Sequence, residues 1–74
     1  MDAQRIYRTF RPYALELAAR HDVPIEEALR ALARASSRCP ADLSLSEVAR
    51  YVRTQSEKFA VQSRLAGPEV RRAG

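Results

Sequence analysis

The feature that most restricts the fold of this chain is a helix-start signal near its centre. Ser44 and Glu47 have the spacing of a capping box, in which each side chain accepts a hydrogen bond from the other residue's backbone N–H. Leu43 and Val48 flank the box as a hydrophobic staple, two apolar side chains that pack across the first turn. The sequence therefore predicts that a helix begins at Leu45.

The apolar residues of this predicted helix do not all lie on one face. At about 100° per residue, four of them share a face: Leu45, Val48, Val52 and Phe59. Val61 and Leu65 lie nearly opposite. Either the helix continues to about Ala66 and something outside the bundle covers the second face, or it breaks at residues 54–56 and its last part repacks.

A first helix is predicted from about Asp2 to Arg20. Its inward face carries apolar residues at helical spacing: Ile6, Phe10, Tyr13, Ala14 and Leu17. Pro12 predicts a kink or a restart near Thr9, because proline lacks the backbone donor and its ring clashes with the preceding turn.

Arginines and aromatic residues alternate between Arg5 and Tyr13. Such interleaving is found in proteins that bind single strands of nucleic acid by base stacking. Phe10 and Tyr13 nevertheless share a face with the apolar residues of the first helix, so we assign both to the core. That leaves Tyr7 as the one free ring.

A second helix is predicted to begin at Pro24, after a turn at residues 22–23, and to reach about Ser36. Its inward residues are Ile25, Ala28, Leu29, Leu32 and Ser36. Three arginines follow at intervals of four on the opposite side: Arg30, Arg34 and Arg38. This pattern is that of an amphipathic surface helix.

These segments predict an all-α fold, a small three-helix bundle over residues 1–67. No strand pattern or hairpin turn is present in the sequence. Gly67-Pro68 predicts the end of the third helix, with a disordered tail over residues 68–74. Because a core of this size rarely contributes more than about 3–5 kcal/mol, we also expect stability to come from a homodimer.

The composition argues against catalysis and metal binding. Cys39 is the only cysteine and His21 the only histidine, so the sequence holds no disulfide pair and no zinc-ligand spacing. It also lacks a phosphate loop and any cofactor fingerprint. We expect a protein that is not an enzyme, with no metal, no cofactor and no small-molecule substrate.

The charge balance favours acidic partners. Thirteen Lys and Arg face nine Asp and Glu, giving a net charge of +4. No apolar run reaches the roughly 18–20 residues of a membrane span, and the first residues lack the order of a signal peptide. We therefore expect a cytoplasmic protein that does not enter membranes.

The stretch from Leu45 to Arg50 resembles the first helix of bacterial helix-turn-helix proteins, with the small Ala49 where the second helix approaches. That resemblance implies that Ser56 caps a recognition helix. It departs from the family at Arg53, where the turn glycine usually stands, and at Gln62, where an aliphatic residue is expected.

The leading functional expectation is therefore a small regulatory protein that binds double-stranded DNA in transcriptional control. On this interpretation the helix-turn-helix-like segment, residues 45–65, and the second helix would supply the nucleic-acid contacts: Arg50, Arg53, Lys58, Gln62, Arg64, Arg30, Arg34 and Arg38.

The alternative is a protein-binding adaptor or inhibitor. A helical bundle would then present an apolar anchor ringed by arginines to an acidic surface of a larger protein. The residues predicted for this anchor, or for the dimer interface, are Val61, Leu65 and Leu15.

Overall fold

The structure, a computed structural model, describes the backbone of residues 2–73 and the side chains of residues 2–65. It contains three helices, α1 (Ala3–His21), α2 (Ile25–Arg38) and α3 (Leu45–Ala73), and no strand occurs over the described backbone. The predicted all-α three-helix bundle is therefore confirmed.

Contacts between the helices define their directions. Tyr13 of α1 donates a hydrogen bond to the Arg53 carbonyl of α3, and Arg20, two turns later, meets Glu57 of α3. These two helices therefore run in the same direction. The start of α2 meets the later part of α3, and the Tyr51 hydroxyl donates to the carbonyl of the last α2 residue, Arg38. The middle helix consequently runs against the other two.

The first helix passes through Pro12 without interruption. Asp2 caps its start by accepting a hydrogen bond from the Arg5 N–H at 2.9 Å. The restart predicted near Thr9 does not occur, because the Thr9 hydroxyl donates to the Arg5 carbonyl at 2.7 Å instead of capping a new helix. Proline removes one hydrogen-bond donor, but burial of the apolar face of α1 stabilises the helix by more than the missing hydrogen bond costs. A kink at Pro12 stays a prediction.

A connection of three residues, 22–24, joins α1 to α2. Asp22 adopts the left-handed conformation (φ 53°, ψ 49°), which aspartate tolerates better than most residues because its short polar side chain bonds locally. The Val23 N–H donates to the Ala18 carbonyl, so the turn satisfies a carbonyl near the end of α1. Pro24 occupies the N-cap of α2, so the helix begins at Ile25, one residue later than predicted.

The predicted capping box forms at the start of α3. The Ser44 N–H donates to Glu47 Oε1 at 2.9 Å, and the Glu47 N–H donates to Ser44 Oγ at 3.3 Å. The bond from the Ser44 backbone N–H, followed by the interaction with the Ser44 hydroxyl, lowers the pKa of the Glu47 carboxyl. Leu43 packs against the core beside buried Val48, as the staple predicts.

The third helix is continuous, so of the two alternatives the unbroken helix is confirmed and the break at residues 54–56 does not form. Ser56 does not cap a recognition helix, because it lies inside α3 with its side chain fully buried. The helix bounds also pass Gly67-Pro68, where we expected the end. Helix formation propagates more easily than it starts, and most of residues 69–73 are good helix formers.

The disordered tail predicted over residues 68–74 stays a prediction, because the side chains of residues 66–73 and all of residue 74 lie outside the described part of the chain.

The core lies where the inward faces of the three helices meet. Ile6, Ala14 and Leu17 are buried as predicted, with Phe10 and Tyr13 half-buried around them. The inward residues of α3 follow one another at intervals of four: Val48, Val52, Ser56 and Ala60.

Leu45 does not belong to this core and is 73% exposed. Tyr51, nearly two turns further along α3, is already level with the last residue of α2. The first turn of α3 therefore extends past the end of α2, which leaves Leu45 without a neighbour on that side.

Candidate binding groove between the first two helices

A groove of about 570 Å³ runs between α1 and α2 on the face opposite α3. Tyr7, Leu29 and Ala33 are half-buried residues that form its floor, and the first two also pack against the core. Small residues on both helices, Ala3 and Ala33, make room for it. The groove therefore has an apolar base.

Arginines from both helices stand at the rim of this groove. Arg8 and Arg11 come from α1, are exposed, and have no ion pair within the described residues. Arg30 comes from α2, and its side chain is 72% exposed while its guanidinium lies 3.3 Å from Glu27. One carboxylate, that of Glu26, shares the rim. The groove therefore has an apolar floor and a positively charged rim.

The sequence did not identify this groove. Arg8 and Arg11 lie three residues apart on the same side of α1, which is a recognisable pattern. The sequence places them in a segment where arginines alternate with aromatic residues, of which Phe10 and Tyr13 are assigned to the core. Their relation to Arg30 depends on how α1 and α2 pack.

The predicted row of arginines on α2 is divided in the structure. Arg34 and Arg38 reach across to α3, where their guanidinium carbons lie 4.9 and 5.7 Å from the centre of the Phe59 ring. Both residues therefore contribute to packing between helices by cation–π contact. Arg30 instead borders the groove. Each step of four residues adds about 40° beyond a full turn of the helix, so Arg30 and Arg38 at the two ends of the row point in different directions.

The predicted contacts on α3 are all exposed but do not form one surface. Arg50, Arg53 and Arg64 lie within about 60° of one another around the helix. Lys58 and Gln62 lie on a different side. Arg53 is also engaged with α1, because its guanidinium carbon lies 5.9 Å from the centre of the Tyr13 ring.

The three predicted interface residues are also separate. Leu65 is 70% exposed and Leu15 is 57% exposed, whereas Val61 is partly buried. Since α1 ends level with Glu57, Leu15 and Leu65 lie about 20 Å apart along the bundle. They cannot form one apolar patch on a single copy.

A polar cluster joins the end of α1 to α3. Glu57 Oε2 accepts hydrogen bonds from His21 Nε2 at 3.0 Å and from Arg20 at 3.1 Å, and Arg20 also pairs with Glu16. The bond from His21, followed by that from Arg20, lowers the pKa of the Glu57 carboxyl. This cluster ties two helices together at the surface.

Cys39 lies half-buried at the end of α2, away from His21. Burial raises the pKa of its thiol, so the reactive thiolate form is disfavoured. Within the described side chains, no group of three or more His, Cys, Asp or Glu could hold a metal ion. None of the helices, over the same residues, has the length and apolar character that a membrane span requires.

In comparisons with known proteins, no family model matches the chain, and neither a curated protein nor a solved structure matches it.

Proposed function

We propose that this chain is a small non-enzymatic regulatory protein that acts by binding an acidic macromolecule in the α1–α2 groove. The observation that carries the proposal is an apolar floor rimmed by Arg8, Arg11 and Arg30, two of which have no ion pair within the described residues. Uncompensated charge beside a concave surface raises the local concentration of oppositely charged ligands. The net charge of +4 acts in the same direction.

The lining of the groove favours binding over catalysis. It contains neither the histidine nor the cysteine of the chain, and the Ser36 hydroxyl donates to the Leu32 carbonyl of its own helix. General acid–base and nucleophilic mechanisms need a nucleophile and a base that converge on one point. The groove brings together guanidinium groups and apolar side chains instead.

Double-stranded DNA remains a second candidate partner, through a different surface. Arg50, Arg53 and Arg64 occupy one exposed side of α3, where they could contact phosphates without a helix-turn-helix. Such contacts would be mainly electrostatic, because a continuous α3 offers no separate recognition helix. The two candidates therefore differ in which arginines they need.

The test measures binding of two labelled probes, a polyglutamate peptide and random duplex DNA, by fluorescence anisotropy. We expect polyglutamate to bind at low salt and to be released as salt screens the charges. The double variant Arg8→Glu/Arg11→Glu should weaken this binding at least about tenfold. Failure of every anionic probe to bind at low salt would contradict the proposal.

The matched control is Arg50→Glu/Arg64→Glu, which changes the net charge by the same amount on α3. We expect it to weaken polyglutamate binding much less than the groove variant. The opposite order, with loss of duplex DNA binding in the α3 variant alone, would favour the DNA interpretation. Equal loss in both variants would indicate attraction to the whole surface and not to the groove.

A further inference from the structure

We infer that the occupant of the α1–α2 groove is an acidic amphipathic α-helix from another protein, which packs beside α1 and α2 as a fourth helix. This inference rests on the proposed function and adds the shape and chemistry of the partner. It follows from the direction of the groove, its floor and its rim.

The direction of the groove suits a helix. Its α1 wall extends from Ala3 to Arg11, about 12 Å or two helical turns, parallel to the helix axes. The face opposite α3 is the position of a fourth helix in a four-helix arrangement. A helix laid there would contact both α1 and α2 along its length.

The floor suits apolar side chains that recur on one helix face. Tyr7 and Leu29 present half-buried apolar surface, and the small side chain of Ala33 leaves room in the floor. An amphipathic helix fills such a surface with residues at positions i, i+3, i+4 and i+7. A fully polar chain would leave this surface unfilled.

The rim selects an acidic partner. Three arginines and one glutamate surround the floor, so carboxylates on both flanks of the incoming helix would pair with guanidinium groups. A second copy of this chain is a poor match, because basic residues outnumber acidic ones on each of its helices. Four arginines face one glutamate in α1, three face two in α2, and six arginines and lysines face three glutamates in α3. Charge repulsion would oppose any of these helices in the groove.

A single strand of nucleic acid suits the groove less well. Binding by stacking needs several exposed rings, whereas Tyr7 is the one ring in the lining and is partly occupied by the core. The Glu26 carboxylate at the rim would also repel phosphates.

Three synthetic peptides test the inference on the full chain. The first is an acidic amphipathic helix with leucines on one face, the second has the same composition in scrambled order, and the third has a central proline. We expect the first to bind at least about tenfold more tightly than the other two. Chemical shifts of the labelled protein should change around Tyr7, Leu29 and Ala33.

Ala33→Trp should remove the preference for the first peptide by filling the groove, and Ala33→Ser should retain it. Thermal unfolding followed by circular dichroism checks that both variants fold. If Ala33→Trp does not fold, the chemical-shift changes in the unsubstituted protein still show where the peptide binds.

Equal affinity for the three peptides, or tighter binding of single-stranded DNA, would overturn the inference while the proposed function stands. Binding of none of these anionic probes would overturn both.

Discussion

Ser56 is the one described residue whose buried side-chain oxygen has no hydrogen-bond partner. Its side chain is fully buried in the middle of α3 among Val52, Ala60 and the facing helices. An unsatisfied buried hydroxyl costs about 1–3 kcal/mol, so the position favours a small apolar residue.

We predict that Ser56→Ala stabilises the protein by about 1 kcal/mol. Urea unfolding followed by circular dichroism measures this change. Ser36→Ala is the matched control, because Ser36 is also buried in a helix but its hydroxyl already donates to the Leu32 carbonyl at 2.8 Å. Equal stabilisation in both variants would indicate that the gain in the free energy of unfolding comes from helix propensity alone.

Glu57 makes stability depend on pH in the acid range. Because its folded-state pKa lies below the ordinary value, the carboxylate contributes stability that is fully present above the unfolded-state pKa. That contribution is lost as pH falls through the folded value. Its bonding to His21 and Arg20 is the physical cause.

We expect Glu57→Gln to reduce the loss of stability on acidification, measured as urea midpoints from neutral pH to acid. Glu26→Gln serves as the control, because it also removes one carboxylate, at a rim position outside this cluster. An unchanged acid dependence in Glu57→Gln would show that the cluster contributes little to folding.

At the scale of helices, continuity of α3 is the finding with the largest functional consequence. A break at residues 54–56 would have produced two helices and the geometry of a helix-turn-helix. The structure instead buries Val52, Ser56 and Ala60 along a single helix. The packed face overrides the modest helix propensities of Thr54, Gln55 and Ser56.

We predict that Thr54→Pro destabilises the protein by about 3 kcal/mol or more, because proline in a helix interior removes a hydrogen bond and clashes with the preceding turn. Thr54→Ala should raise stability slightly, by a few tenths of a kcal/mol. Unfolding by urea measures both. Native-like stability of the proline variant would indicate that the helix is already interrupted there.

The sequence predicted local features of the helices well. The capping box at Ser44 and Glu47, the turn at Asp22 and the inward face of α1 all depend on residues near one another in the chain. The restart near Thr9 and the helix end at Gly67-Pro68 do not form, and of the two alternatives for α3 the break at residues 54–56 does not form either. At Thr9 and at residues 54–56, burial against other helices outweighs the local signal.

At the scale of the whole molecule, the sequence could not show which exposed residues come together. Arg8 and Arg30 share a groove because α1 and α2 pack at one particular rotation. Phe59 likewise attracts Arg34 and Arg38 from a different helix. Periodicity assigns each residue to a face of its own helix but does not give the rotation of one helix against another.

The homodimer stays a prediction, and Leu65 is the residue to test. If two copies associate through this end of α3, Val61→Ser/Leu65→Ser should yield a monomer with its helical content retained, since Leu65 is mostly exposed. Leu45→Ser is the control, an exposed leucine at the opposite end of α3. Sedimentation equilibrium measures the mass, and a wild-type monomer at every concentration would contradict the prediction.

The short connection at residues 22–24 affects the speed with which the groove can be occupied. Asp22 and the bond from Val23 to Ala18 hold α1 and α2 in place, so the groove exists before any partner arrives. Little entropy remains to be lost by this chain on association. Capture would then be limited by diffusional encounter and accelerated by long-range attraction, while any slow ordering step would belong to the incoming segment.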